Sequence, residues 1–301
     1  MTDLRRITLL AALAVLAGCA TEAPRPSDTT PEPTPPEPVA PVEPATPPKP
    51  PPPEPVRPLR QITIAAVGDM MLGTDYPRNH LPDDDGVGFL AAVTPHLEAA
   101  DVTVGNLEGV LADGGEPAKA CGNPRACYLF RSPTRYAAYY RDAGFDALSL
   151  ANNHARDFGE DGRSATMRAL DAVGIHHSGR EGSFASFEAG GVTIAMLAFA
   201  VTRESNLLHD YELARDTVAG YAERHVIVIV SFPGGAEGTD ALNLPFAEEE
   251  DSGEPRGDVV RFSRMMVDAG ADLVVGHGPH VVRAMERYRD RLIAYSLGNF
   301  A

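Results

Sequence analysis

Five times along this chain a short apolar run, rich in β-branched residues, stops at a cluster of amides, carboxylates or imidazoles. The runs lie at residues 61–67, 101–104, 145–150, 225–230 and 271–275. They are too short for buried helices and read as strands buried on both faces, the pattern of parallel sheets. Helical spacing separates several of them, over residues 88–99, 134–143, 157–173 and 257–269, and residues 192–200 and 291–296 read as further strands. Strands alternating with helices imply an α/β layered domain, sheets flanked by helices, with a site along the edge where the strands end.

The clusters carry chemistry. Gly68-Asp69-Met70-Met71 follows the first run, and Gly105-Asn106-Leu107-Glu108 the second. An amide and a carboxylate two residues apart point the same way if the strand continues. Ala151-Asn152-Asn153-His154 follows the third, with amide oxygens able to bind a cation and an imidazole able to act as acid or hydrogen-bond donor. The fourth run leads into Ser231-Phe232-Pro233-Gly234-Gly235-Ala236-Glu237. The fifth leads into Gly276-His277-Gly278-Pro279-His280, two imidazoles on a bent loop, and neutral imidazole is the commonest metal ligand. Taken alone, Asp69 serves equally well as a cap or turn carboxylate. The other histidines lack a strand-end position and read as surface or core residues.

Two segments of different character precede this domain. Arg5 and Arg6 stand before an apolar run of ten residues, 7–16, ending Leu16-Ala17-Gly18-Cys19. That is an export signal, too short to span a bilayer. Its ending resembles a bacterial lipoprotein lipobox, with residues 1–18 as signal peptide and Cys19 as the lipid-modified first residue of the mature chain. An ordinary signal peptide with a chance cysteine is the alternative. Ala20 after the cysteine leans, by the same resemblance, towards the outer membrane. Residues 19–58 hold 17 of the 27 prolines and cannot bury enough apolar surface to order themselves. They read as a disordered tether reaching about 100 Å in polyproline II form.

Residues 59–301 form the folded domain and carry most of the net charge of −16. So acidic a surface argues against nucleic acid as a partner; it fits cation binding and plain solubility equally. Cys121 and Cys127 flank a turn-rich loop of an exported chain, so a local disulfide is expected.

These motifs together resemble the CapA family of poly-γ-glutamate capsule-synthesis proteins, whose fold resembles calcineurin-like metallophosphoesterases. The resemblance covers residues 62–301, including Asp157, Gly159 and Tyr295-Ser-Leu-Gly-Asn-Phe300. It implies a metallophosphoesterase-like sandwich holding one or two divalent ions, with manganese, zinc and iron not distinguished. Asp69, Glu108 and His280 would hold the first, and Glu108, Asn153 and His277 the second. His154, Asn152 and Asp157 would form the catalytic group, while Asn106, Ser231, Glu237 and Asn299 line the site or substitute as ligands.

Two departures from the family pattern stand out. Met71 replaces a phosphoesterase histidine, as is usual in this group, and Pro233 occupies a position where relatives commonly have histidine. The chain also stops just after the Gly-Asn-Phe motif, where relatives usually continue, so either the sheet lacks its last elements or the sequence is a C-terminally truncated fragment. The resemblance implies an exported protein, lipid-anchored to a membrane and facing the periplasm or cell surface, that acts in capsule or related polymer synthesis. Its role would be that of a metal-dependent hydrolase of phosphoesters or amides. The alternative is a non-catalytic component that binds or exports an anionic polymer, with Arg283, Arg287, Arg289 and Arg291 at the rim of the site.

Overall fold

The computed structural model describes residues 61–118 and 128–301. The leader, the proline-rich tether, Cys19, Cys121 and Cys127 lie outside the described residues. Two sheets form the middle of the domain. The first begins with β1 (Ile64–Met70) and β2 (Val102–Leu107). A two-residue ladder of β3 (Val110–Leu111) and β4 (Arg131–Ser132) intervenes before β5 (Ala147–Ser149) and β6 (His176–Ser178) complete it. Its order is β1-β2-β5-β6, all parallel.

The second sheet contains β7 (Ala185–Ala189), β8 (Val192–Ala198) and β9 (Ile227–Pro233). The chain then forms a separate hairpin of β10 (Glu249–Asp251) and β11 (Glu254–Gly257). It returns through β12 (Leu273–His277), β13 (Met285–Tyr288) and β14 (Arg291–Ala294). The order β13-β14-β12-β9-β8-β7 is parallel in the centre and antiparallel at both edges.

Strand alternation decides the layering. On β8, Ile194 and Met196 join Val102, Val104, Ala147, Ile229 and Val275 in a core between the two sheets. Their neighbours Ala195 and Leu197 face the other way, onto α4 (Tyr211–Ala222) and α5 (Val259–Asp268), through Val218, Phe262 and Met266. Beyond the first sheet, Val67, Leu148 and Leu150 pack on α2 (Ala137–Asp142) and α3 (Gly159–Val173), through Tyr140 and Leu170. The result is helix, sheet, sheet, helix: the α/β layering that the alternating pattern implies, in the sandwich form that the family resemblance implies, with residues of period two supplying two cores from one strand.

Several boundaries differ from expectation. Residues 88–99 form mostly turns, with helix only at α1 (Thr94–Leu97), since Pro95 lacks an N–H and fits only the first turn. Strand β14 is shorter than expected, β12 lies two residues further on, and β9 is longer, ending at Pro233. Helix α4, capped by Asp210 accepting from the N–H of Leu213, carries no strand-end cluster and went unread.

After β14 the chain leaves the second sheet and crosses to the first. Asp69 N–H donates to Gly298 O at 2.9 Å, Phe300 N–H donates to Asp69 O at 2.8 Å, and Asp69 pairs with Asn299 as a parallel bridge. The crossing is close: a Cβ on Gly68 would stand 1.8 Å from the carbonyl oxygen of Gly298. Gly68→Ala is therefore expected to cost about 3 kcal/mol or more, because backbone rather than a movable side chain must give way. Urea denaturation checks this, and an unchanged midpoint would mean that the crossing is dispensable.

Candidate metal centre

The first element of the site is a defect in β1. Its register with β2 shifts between Ala66 and Asp69, where three steps on β1 match two on β2. Strict alternation would put Asp69 on the face of Val67, under the helices. The extra residue instead turns Asp69 to the inter-sheet side with Ile64 and Ala66, while Met70 takes the helical core. On β2, Val102, Val104 and Asn106 share that inter-sheet face, and Glu108 follows two residues on, its N–H bonded to Met70 O. The second sheet contributes in the same way: His277 continues the face of Val275, and Ser231 and Pro233 that of Ile229. The site lies in the crevice between the sheets at the C-terminal ends of both.

Asp69, Glu108 and His280 each present a ligand atom there, all within 4.8 Å of one another. His280 Nδ1 stands 3.1 Å from Asp69 Oδ2 and its Nε2 3.7 Å from Glu108 Oε1. Asn299 Oδ1 is 2.9 Å from the same Nδ1, so the terminal motif orients the imidazole. His280 holds φ at +58°, a left-handed backbone that bulky side chains seldom adopt and that concentrates at functional sites. His277 is wholly buried, its Nδ1 3.7 Å from Asp69 Oδ1, and among the described residues neither ring nitrogen has a hydrogen-bond partner.

An amide chain links this cluster to the third strand end. Asn106 Nδ2 donates to Asp69 at 2.8 Å, and Asn152 Nδ2 donates to Asn106 Oδ1 at 3.0 Å and to Leu107 O at 2.8 Å. Asn152 Oδ1 accepts from His154 N–H at 3.1 Å. The buried His154 places Nδ1 2.8 Å from Asp157 Oδ2, an oxygen that also accepts from Phe130 N–H. Phe130 packs on the imidazole at 4.4 Å between centroids. With Nδ1–H fixed on Asp157, Nε2 is the free nitrogen. Asn153 lines the adjoining cavity.

The surroundings of Pro233 differ from those of the cluster. Pro233 is the register neighbour of His277, so no imidazole can reach in from that position. Glu237, a candidate substitute ligand, pairs with the buried Arg256 at 3.0 Å, and Ser231 Oγ is buried without a hydrogen bond. Arg283 is not a rim residue: it is buried and doubly bonded to Glu249. Arg287, Arg289 and Arg291 are exposed and paired with Asp290, Asp268 and Asp272. Hairpin β10–β11, which supplies Glu249 and Arg256, went unread because charged residues are taken for surface.

Crowding of buried charge sets the protonation of the cluster. Burial pushes Glu108 up to about 8, and repulsion from Asp69 adds to it. His280 is raised to about 9, chiefly by its hydrogen bond to Asp69, which outweighs burial. Asp69 stays below the usual carboxylate range although burial works the other way, held there by its hydrogen bonds with His280 and Asn106. Burial drives His277 down, so it is neutral with its lone pair available, and Asp69 opposes only part of that effect. Buried, acidic, and furnished with an orphaned neutral imidazole, the cluster fits a divalent cation.

These features define a layered α/β protein with a cation-type site between its sheets. The chain belongs to the bacterial capsule synthesis protein family PGA_cap, whose profile matches residues 63–237 and 246–301. It is 30% identical over 276 residues to the capsule biosynthesis protein CapA of Bacillus anthracis, an alignment covering 80% of this chain and 59% of that protein. It is 28% identical over 256 residues to the PGA biosynthesis protein CapA of Bacillus subtilis strain 168, covering 79% and 63%. The chain thus spans less than two thirds of the length of these relatives. Among solved structures it is similar to a putative 5′-nucleotidase from Staphylococcus aureus in complex with α-ketoglutarate, with a TM-score of 0.45 and 12% identity over 77% of this chain and 47% of that one. That likeness is too distant to bear on the site.

Two outcomes are expected. His277→Leu leaves cation-free stability within about 1 kcal/mol of wild type or above it, because no hydrogen bond is lost, but abolishes the rise in Tm on adding Mn²⁺. A large loss without cation, with the Tm rise intact, would contradict a ligand role. Because His280 must release its proton to ligate, cation affinity climbs as pH rises towards about 9. Calorimetric titration across pH checks it, and a flat profile would contradict it.

Proposed function

We propose that this chain is a cell-envelope protein of capsule or poly-γ-glutamate synthesis whose inter-sheet site hydrolyses a phosphoester or amide bond with a divalent cation. The observation that carries the reading is His277, buried with two unpartnered ring nitrogens beside the Asp69, Glu108 and His280 cluster. A buried polar group without a partner costs about 1–3 kcal/mol, which a bound cation would offset. The cation held there would act as Lewis acid, polarising a phosphoryl or carbonyl oxygen.

The chain's own residues supply the rest. Asp69, Glu108, His277 and His280 hold the cation, and Asn106 fixes Asp69 through its amide. His154, oriented by Asp157 at Nδ1, gives a proton from Nε2 to the leaving group, the oxygen of a phosphoester or the nitrogen of an amide, as water adds at the phosphoryl or carbonyl centre. Asn152 fixes the His154 backbone. The substrate is an exported anionic polymer of the poly-γ-glutamate kind or a phosphoester, and the anchor is the lipid on Cys19. No helix among the described residues is long and apolar enough to cross a membrane.

Pro233 and the Glu237–Arg256 pair favour a second reading, a polymer-binding component without turnover, since they remove ligands from the far side of His277. One experiment separates the two. Mn²⁺-loaded protein is assayed on a panel of phosphoesters and γ-glutamyl amides beside His154→Ala. Hydrolysis falling about 100-fold or more in the variant, with cation content unchanged, supports the hydrolase. An inert wild type supports binding alone, while an active variant equal to wild type contradicts the role given to His154.

A further inference from the structure

A cavity of about 260 Å³ opens beside the centre, on the side of His154. Asn152, Asn153 and Arg156 form one wall, and Arg203, Glu204 and Ser205, from the segment after β8, form the other. Asn152 is shared with the centre, since its amide donates to Asn106 and Asn106 donates to Asp69. A molecule in the cavity therefore lies two hydrogen bonds from the cation cluster.

The charge of the wall runs against that of the chain. In a protein of net charge −16, two arginines, Arg156 and Arg203, line the cavity with one carboxylate, Glu204, while Arg163 and Arg180 pair with Glu160. Arg156 donates to Glu204 and so neutralises the one acid in the wall. Its Nε is buried with no hydrogen-bond partner among the described residues, and Glu160 stands 3.7 Å away. Arg203 is exposed and has no ion pair or hydrogen bond among the described residues. Gly159, the first residue of the 15-residue helix α3, also lines the cavity, so the positive end of the helix dipole adds to the field. The hydroxyl of Ser205 and the amide of Asn153 complete a set suited to anionic oxygen.

We propose that this cavity is an anion subsite, which takes a carboxylate or phosphate group of the substrate next to the bond acted on, with Arg203 as the contacting charge. The proposal rests on the preceding reading of the centre and adds the part of the substrate that the protein recognises. In a polymer bearing a carboxylate on every unit, binding one unit here would fix the neighbouring linkage against the strand ends.

The test is calorimetric binding of two probes, inorganic phosphate and a γ-linked glutamate trimer, to the full chain in the presence of a chelator. Wild type is compared with Arg203→Glu and with Arg224→Glu, which changes charge equally but precedes β9, at the opposite end of that strand from Pro233. Arg203→Glu is expected to weaken binding about tenfold or more, the size of one lost charge-assisted hydrogen bond, while Arg224→Glu matches wild type. The probe that binds identifies the group as phosphate or carboxylate. Equal affinity in Arg203→Glu, equal loss in both variants, or no binding of either probe by wild type overturns the subsite. Cation content measured on the same proteins without chelator separates this failure from failure of the centre, which would show as a wild type that takes up no cation.

Discussion

Everything at the strand ends depends on a backbone pairing between sequence-distant segments, Asp69 with Gly298 and Asn299. Each sheet alone ends in isolated polar groups. By crossing from β14 to β1, the terminal segment closes one end of the crevice, sets Asn299 against His280, and brings the imidazoles of the second sheet to the carboxylates of the first. The glycines at 68 and 298 are the condition for that approach, since a side chain on either would meet backbone. The bulge in β1 is the matching condition on the other side, because it turns Asp69 away from the hydrophobic core.

Bringing those groups together without a cation is electrostatically costly, and protons carry the burden. Asp69 remains ionised, His280 takes a proton, and Glu108 is pushed towards its neutral form by burial and by Asp69. His277 cannot join this arrangement, because burial disfavours its charged form and nothing accepts or donates at its ring. The imidazole left over by proton bookkeeping is the residue that makes a cation the natural occupant.

Much of this was legible in the sequence. Period-two alternation put Asn106 and Glu108 on one face, and the strand-end positions of Asp69, His154, His277 and His280 followed from the apolar runs before them. The bulge was not legible, since the first run reads as regular strand to Val67 and nothing in it marks the extra residue before Asp69. The buried Arg256 and Arg283 were hidden by their residue type; the Glu237 and Glu249 carboxylates, with the carbonyls of Gly235 and Ala236, explain their burial. The cavity beside His154 depends on the segment around Arg203, which carries no periodic signal and meets the β5–α3 loop only through the tertiary fold.

The central claim is that the crevice cluster is a cation site, and anomalous scattering from crystals grown with Mn²⁺ tests it most directly. The account predicts a peak about 2.2 Å from oxygen or nitrogen atoms of Asp69, Glu108, His277 and His280, the usual range for such ligands. A crevice without a peak, with manganese bound elsewhere or nowhere, would contradict it.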